Sequence, residues 1–260
     1  MHKLIISFLV ILIATGGSAL ADPRDKLKKS ARQRVVKVID GDTLILKDKT
    51  RVRLVGIEAP RLMPDRDKFG TWSIGYKSAE LLSRLALGKF VTLYFGGTRR
   101  DRYGRALAHL FRDDGLWLQG EMLKAGMARV YTFPDNRAVV PEMMALEQQA
   151  RQRKLGLWAV DYFKVKDQRT SAKYRNSFQL VTGTVRAVAH IRGTYYLNFG
   201  DDWRTDFTVV IKSAAARKFI KAGIDPESYQ GKTIVIRGWL KMFNGPMIEA
   251  THPEQIRTAD

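Results

Sequence analysis

With 260 residues and 45% of them hydrophobic, the chain is long enough for one large domain or two small ones, each with a core. It has no cysteine, which excludes a disulfide framework and thiolate metal sites. Lys and Arg outnumber Asp and Glu by 45 to 26, a formal net charge of +19, and a surplus this large favours polyanions: nucleic acid or an anionic membrane surface.

The first residues read as a targeting segment. Met1-His2-Lys3 is a short positive start, residues 4–14 are apolar, and Ala19-Leu20-Ala21 fits the small-x-small cleavage rule. The expectation is a signal peptide over 1–21, with Asp22 as the new N-terminus of an exported protein, periplasmic or secreted. The apolar run is shorter than the ~20 residues a membrane span needs. No stable membrane insertion is therefore expected once the signal is removed; an uncleaved anchor is the alternative. Residues 22–34 are polar and mostly basic, and read as a flexible basic leader.

Strands are predicted at 35–39, 43–47 and 51–55, with an Asp-Gly turn signal between the first two. Residues 63–70 read as a loop holding Asp65 and Asp67. Ala79, Leu82, Leu85 and Ala86 recur at helical spacing, with Gly88 as the stop. A strand at 90–95, a loop at 96–100, a strand at 106–111 and a short helix around Leu118–Leu123 follow, and 128–131 is extended. Pro141 and Glu142 open a third helix that Gly156 closes. Residues 35–160 are thus expected to form a small Greek-key barrel of the OB type capped by helices. Residues 161–176, rich in Lys and Arg with no sustained apolar period, read as a linker. In 177–258, alternating strands surround a short helix at 214–222, the order of a second OB-like barrel. The fold class is mainly β with α, an α+β protein.

Charged residues gather around the first hairpin. Asp40, Asp42 and Glu58 lie at or just beyond strand ends, and Arg53, between Val52 and Leu54, points away from their face of the strand. Three stretches carry the pattern: Ile39-Asp40-Gly41-Asp42-Thr43, Arg53-Leu54-Val55-Gly56-Ile57-Glu58-Ala59-Pro60-Arg61, and Asp101-Arg102-Tyr103-Gly104-Arg105. In order and spacing they resemble the motifs of the staphylococcal nuclease (thermonuclease) family, over roughly residues 33–158. Two positions depart: the family's metal-binding Asp is Glu58, and its closing Glu is Arg61.

The resemblance implies metal-dependent hydrolysis of DNA or RNA with Ca²⁺ as cofactor. Asp42 and Glu58 would be side-chain ligands, the carbonyl of Ala59 a backbone ligand, and Asp40 a near-shell acid. Calcium takes hard oxygen donors in a flexible shell. Arg53 and Arg105 would be the catalytic phosphate clamp, since a guanidinium donates two parallel hydrogen bonds and keeps its charge. Arg61 occupies the place of the residue that handles the attacking water in the family, and arginine cannot accept a proton at neutral pH. It reads instead as a nucleic-acid contact, with Tyr103. Asp40, Asp65, Asp67 or the metal alone could replace the missing base. In the second unit, Trp203 lies in a turn-like stretch among arginines and is the candidate stacking residue. The rival readings are a weakened or inactive nuclease fold that holds nucleic acid through basic surfaces, and an envelope protein that uses its charge on anionic lipid.

Overall fold

The computed structural model describes residues 22–62 and 72–259. The expected signal segment, and the expected loop at 63–70 with Asp65 and Asp67, lie outside the described residues.

The first unit is a closed barrel. Its strands are β1 (Lys28–Asp40), β2 (Thr43–Leu46), β3 (Arg51–Leu54), β5 (Phe90–Phe95) and β6 (Ala106–Arg112), joined in the order β1-β2-β3-β6-β5. Between β3 and β5 come the short β4 (Ile57–Glu58) and the helix α1 (Trp72–Ala86). After β6 come α2 (Leu118–Lys124), β7 (Arg129–Val130), which pairs with β4, and α3 (Val140–Gln152). Alternation explains the barrel: Leu44, Leu46, Val52, Leu54, Val91 and Leu110 turn inward and are fully buried, with Leu82 of α1 and Met122 of α2 against them.

The basic leader is not a flexible entry. Residues 28–34 are the first half of β1, and they pair antiparallel with β5 from Lys28 opposite Phe95 to Arg34 opposite Phe90. Backbone pairing needs no apolar side chain, and the charged side chains stay outside. Arg32 lies 3.9 Å over the Phe90 ring and bonds to Asp113 at 2.5 Å. The third helix also ends earlier than expected. Arg153 caps it, and Lys154 takes a positive φ of 53°, two residues before Gly156.

The expected linker is folded too. It carries short 3₁₀ turns at Asp161–Phe163 and Gln168–Tyr174, and β8 (Lys166–Asp167) between them. β8 pairs parallel with β9 (Ser177–Thr184). Phe163 explains the order, because it is buried in a core shared by Ile74, Ala150, Trp158, Phe178 and Leu180.

The second unit continues with β10 (Ala187–Ile191), β11 (Thr194–Asn198), β12 (Thr208–Ile211), α4 (Ser213–Lys221), β13 (Thr233–Met242), β14 (Pro246–Glu249) and β15 (Ile256–Thr258). Val185 and Arg186 separate β9 from β10. The strands form an eight-stranded sheet in the order β10-β11-β12-β14-β13-β9-β8, with β15 also on β13. The path begins at β10 and ends at β9 and β8, and β9 and β10 are separated by only those two residues, whose N–H groups bond to the carbonyls of Lys232 and Asn198. Val181, Leu197, Val209, Phe219, Ile236 and Ile248 form its core.

The two units share a buried polar seam. Arg237 of β13 reaches Glu147 of α3 at 2.6 Å and the carbonyl of Val130 at 3.0 Å, and Glu147 accepts the Val130 N–H at 2.8 Å. His252 meets the Thr132 hydroxyl at 2.7 Å, and Arg137 bonds to Glu254 at 2.8 Å. Among the described residues no helix is long and apolar enough to cross a membrane.

Candidate functional site

The turn from β1 to β2 places the first carboxylates. Asp40 Oδ1 accepts the N–H of Asp42 at 3.0 Å, which folds the turn on itself. Gly41 between them admits no side chain, since a Cβ there would stand 2.0 Å from the Ser78 hydroxyl of α1. The chain therefore drops close to the helix, and Asp42 is buried. Its Oδ2 accepts the Ala59 N–H at 2.7 Å, and its Oδ1 takes the Thr43 hydroxyl at 3.0 Å and Arg53 Nη1 at 2.7 Å. Burial pushes the Asp42 carboxyl up to about 6, although Arg53 pulls it down; the neighbouring charge of Asp40 adds to the rise. Arg53 stands on the outer face of β3, as alternation with the buried Val52 and Leu54 requires.

Glu58 pairs across strands. It lies opposite Arg129 in the β4–β7 ladder, and Arg129 Nη2 meets its Oε2 at 2.9 Å. Arg129 is buried; its Nη1 donates to the carbonyl of Phe178 at 3.0 Å, and its guanidinium lies about 5 Å from the Phe163 and Phe178 rings. Burial and the charge of Glu58 together raise the hydroxyl of nearby Tyr131 above its usual range.

The third motif is a tight loop closed by Asp101. This carboxylate accepts the N–H groups of Tyr103 and Arg105 at 2.9 and 3.0 Å and bonds to Arg105 Nε at 2.6 Å. Burial pushes the Asp101 carboxyl up, but these bonds outweigh it and hold it below the ordinary carboxylate range. Tyr103 is exposed, with the guanidiniums of Arg102 and Arg105 at 4.9 and 5.6 Å from its ring.

The motifs meet in a cleft of about 710 Å³. Arg53, Glu58, Arg61, Tyr103 and Arg105 all line it, so most of the residues singled out in the sequence share one surface. Asp42 supports that surface from below through Arg53, and Ala59 does so through its N–H; Asp40 holds the turn. Arg61 is exposed, and its backbone lies against α1, where a Cβ on Gly75 would stand 2.2 Å from the Arg61 carbonyl oxygen. Trp203 is not brought to the cleft. It borders a separate hollow of about 390 Å³ with Ile191 and Phe243, and Arg204 lies 4.5 Å over its ring.

Tyr131 and Trp239 are among the cleft residues that escaped the sequence reading. Tyr131 follows the short β7, and Trp239 comes from the second unit. Neither carries a motif, and only an exposed aromatic on a strand hinted at Trp239. Arg129, which holds Glu58, was also missed.

Calcium needs several oxygen donors turned toward one point. Among the described residues no three acidic or histidine side chains gather in this way. Arg53 is engaged with Asp42, and Arg129 with Glu58, so the donors suit calcium in kind but do not fit it as arranged.

The sequence model of the staphylococcal nuclease homologue family matches residues 51–160. Over 130 residues the chain is 40% identical to a protein of Escherichia coli O157:H7 named as an uncharacterized endonuclease, covering 48% of this chain and 76% of that one. It is 28% identical over 128 residues to the thermonuclease of Staphylococcus intermedius, covering 48% and 74%. It is 36% identical over 140 residues to a probable staphylococcal-like nuclease of Oryza sativa subsp. japonica, covering 54% and 38%.

Proposed function

The chain belongs to the staphylococcal nuclease family, and from that premise we propose that its cleft grips the phosphodiester backbone of DNA or RNA and hydrolyses it. The observation that carries this reading is the convergence of Arg53, Arg61 and Arg105 on one cleft. A phosphodiester is a poor electrophile because its oxygens are already negative. Two guanidiniums on those oxygens draw off charge, and they do so most strongly when charge builds in the transition state. Asp42 and Asp101 aim the two arginines, and Arg61 extends the contact along the backbone.

Hydrolysis joins a water oxygen to phosphorus and breaks one P–O ester bond; the water proton needs an acceptor, and the departing ester oxygen takes a proton from solvent. Arg61 cannot serve. Asp42 is buried against Arg53 and Asp101 is bound to Arg105, whereas Glu58 lines the cleft and is our assignment for the acceptor.

A second reading, binding without cutting, is favoured by Arg61 and by the Arg129 contact that draws Glu58 toward a cation. One experiment separates the two. A labelled single-stranded oligonucleotide is incubated with the protein, with Ca²⁺ or with chelator, beside the Arg53→Ala/Arg105→Ala variant. Cutting that the variant loses supports hydrolysis, and the chelator arm shows whether a metal takes part. Salt-dependent binding with no cutting assigns the protein to the binding class. If the intact protein neither cuts nor binds, the proposal fails. Export belongs to the same proposal, and N-terminal sequencing of the protein from its native cells, with cell fractionation beside it, tests it: a start at Asp22 supports export with cleavage, a start at Met1 in the envelope fraction supports the uncleaved anchor, and a start at Met1 in the cytoplasmic fraction opposes export.

A further inference from the structure

We propose that Trp239 is a base-stacking residue which the second unit contributes to the cleft, and that it directs the site toward single-stranded nucleic acid. The proposal rests on the phosphate-binding reading above and adds to it the class of strand.

The argument begins with β13. Alternation puts Arg237 and Trp239 on one face of the strand and Gly238 on the other. Arg237 is pinned against the first unit by Glu147 and the Val130 carbonyl. Trp239, two residues on, therefore faces the same way and reaches the mouth of the cleft that Arg53 and Arg105 line. Gly238 keeps the strand flush with its sheet, because a Cβ there would stand 2.4 Å from Ile248. Phe178 lies directly across the ladder from Trp239, and its carbonyl holds Arg129. The strand that carries the indole is thus held in place, and Trp239 is 41% exposed.

An exposed indole beside arginines suits a particular partner. A single strand offers phosphates to the guanidiniums and unpaired base faces to the ring, and such stacking is tolerant of sequence. A duplex hides its base faces. Next to Trp239 lies a second depression of about 190 Å³, also lined by Tyr131 and Phe133, which offers space beside the indole for a base. Trp203, the other exposed tryptophan on the second unit, borders a hollow without this ring of cleft arginines.

The test uses the full protein and three labelled oligomers of equal length: a single strand, a duplex, and an abasic strand that keeps its phosphates. Affinities are read by fluorescence anisotropy for the intact protein, Trp239→Ala and Trp239→Phe. The expected result is about a tenfold loss for Trp239→Ala on the single strand alone, the worth of roughly one stacked base. Affinity for the abasic strand and the duplex should not change, and Trp239→Phe should recover most of the loss. An equal loss on all three oligomers, or no loss on the single strand, overturns the proposal. If Trp239→Ala changes nothing while Arg53→Ala/Arg105→Ala abolishes binding, the stacking inference falls and the phosphate reading stands. If the intact protein binds none of the oligomers, both fall.

Discussion

Arg53 Nη1 stands 2.7 Å from Asp42 Oδ1, so the first clamp arginine is already bound to a buried acid of its own chain. That acid titrates high, near 6, because it is buried. Above this pH the carboxylate competes with a phosphate for the guanidinium. Below it the acid is neutral and the guanidinium is released.

Phosphate binding should therefore tighten as the pH falls through about 6. Between about pH 7.5 and 5 the affinity for a short oligonucleotide should rise by about tenfold, the equivalent of one pKa unit of coupling. Asp42→Asn keeps the shape and removes the charge, so its affinity should be high and flat over the same range. A salt-matched pH titration by anisotropy reads both, and an unchanged slope in Asp42→Asn would remove Asp42 from the explanation.

The Arg237–Glu147 pair should join the units into one cooperative block. Both side chains are buried, and removing one partner from such a pair costs about 3–5 kcal/mol. Arg237→Met should lower stability by that order and split a single urea transition into two, followed by far-UV circular dichroism. The double variant Arg237→Met/Glu147→Gln should regain part of the loss, because no lone charge is left in the seam.

The Arg129–Glu58 pair invites a similar cycle with a functional readout. Arg129→Met should destabilise the protein by about 3 kcal/mol, since a partly buried carboxylate loses its partner. Glu58→Gln should cost at least as much, because it leaves Arg129, the more buried of the two charges, without its counter-ion. If Glu58 accepts the water proton, Glu58→Gln should abolish cutting while leaving oligonucleotide affinity unchanged. Equal cutting by the variant would place the acceptor elsewhere.

Acid stability should report the buried histidines. Burial pushes His252 down to about 4 and His109 down to about 3, from an ordinary 6.5. Around His252 the carboxylate of Glu254 opposes this fall, while Arg137, Lys218 and Arg237 add to it. A depressed histidine takes up fewer protons folded than unfolded. Its contribution is complete above about 6.5 and is lost as the pH falls toward the folded value. Asp42 acts in the opposite direction, gaining stability as the pH falls from about 6 to its ordinary value. With two histidines against one acid, Tm should fall between about pH 6.5 and 4. His252→Gln should fall less steeply, and equal slopes would exclude the histidine.

The residues legible in the sequence were those whose roles follow from neighbours along the chain. Arg53 is outward because Val52 and Leu54 are inward. Asp40 and Asp42 sit in a turn because Gly41 lies between them, and Asp101 closes its loop within five residues. Arg129 and Trp239 were not legible, because each reaches the site by tertiary approach. Arg129 meets an acid 71 positions away, and Trp239 belongs to a different sheet. The basic stretch at 28–34 misled for another reason. Its hydrogen bonds come from β5, and nothing in its own side chains announces a strand.

That stretch also bears on the order in which the molecule assembles. The ring cannot shut until Lys28–Arg34 find Phe90–Phe95, across some sixty intervening residues. Contacts so distant along the chain form slowly, because loop entropy must be overcome before any bond is gained. The two hairpin arms β1–β2 and β2–β3 are local and can form first; the seam between β1 and β5 closes over them. Trimming the chain beyond residue 27 would therefore remove the strand that completes the ring, and leave β5 as an open edge on which a second molecule could pair.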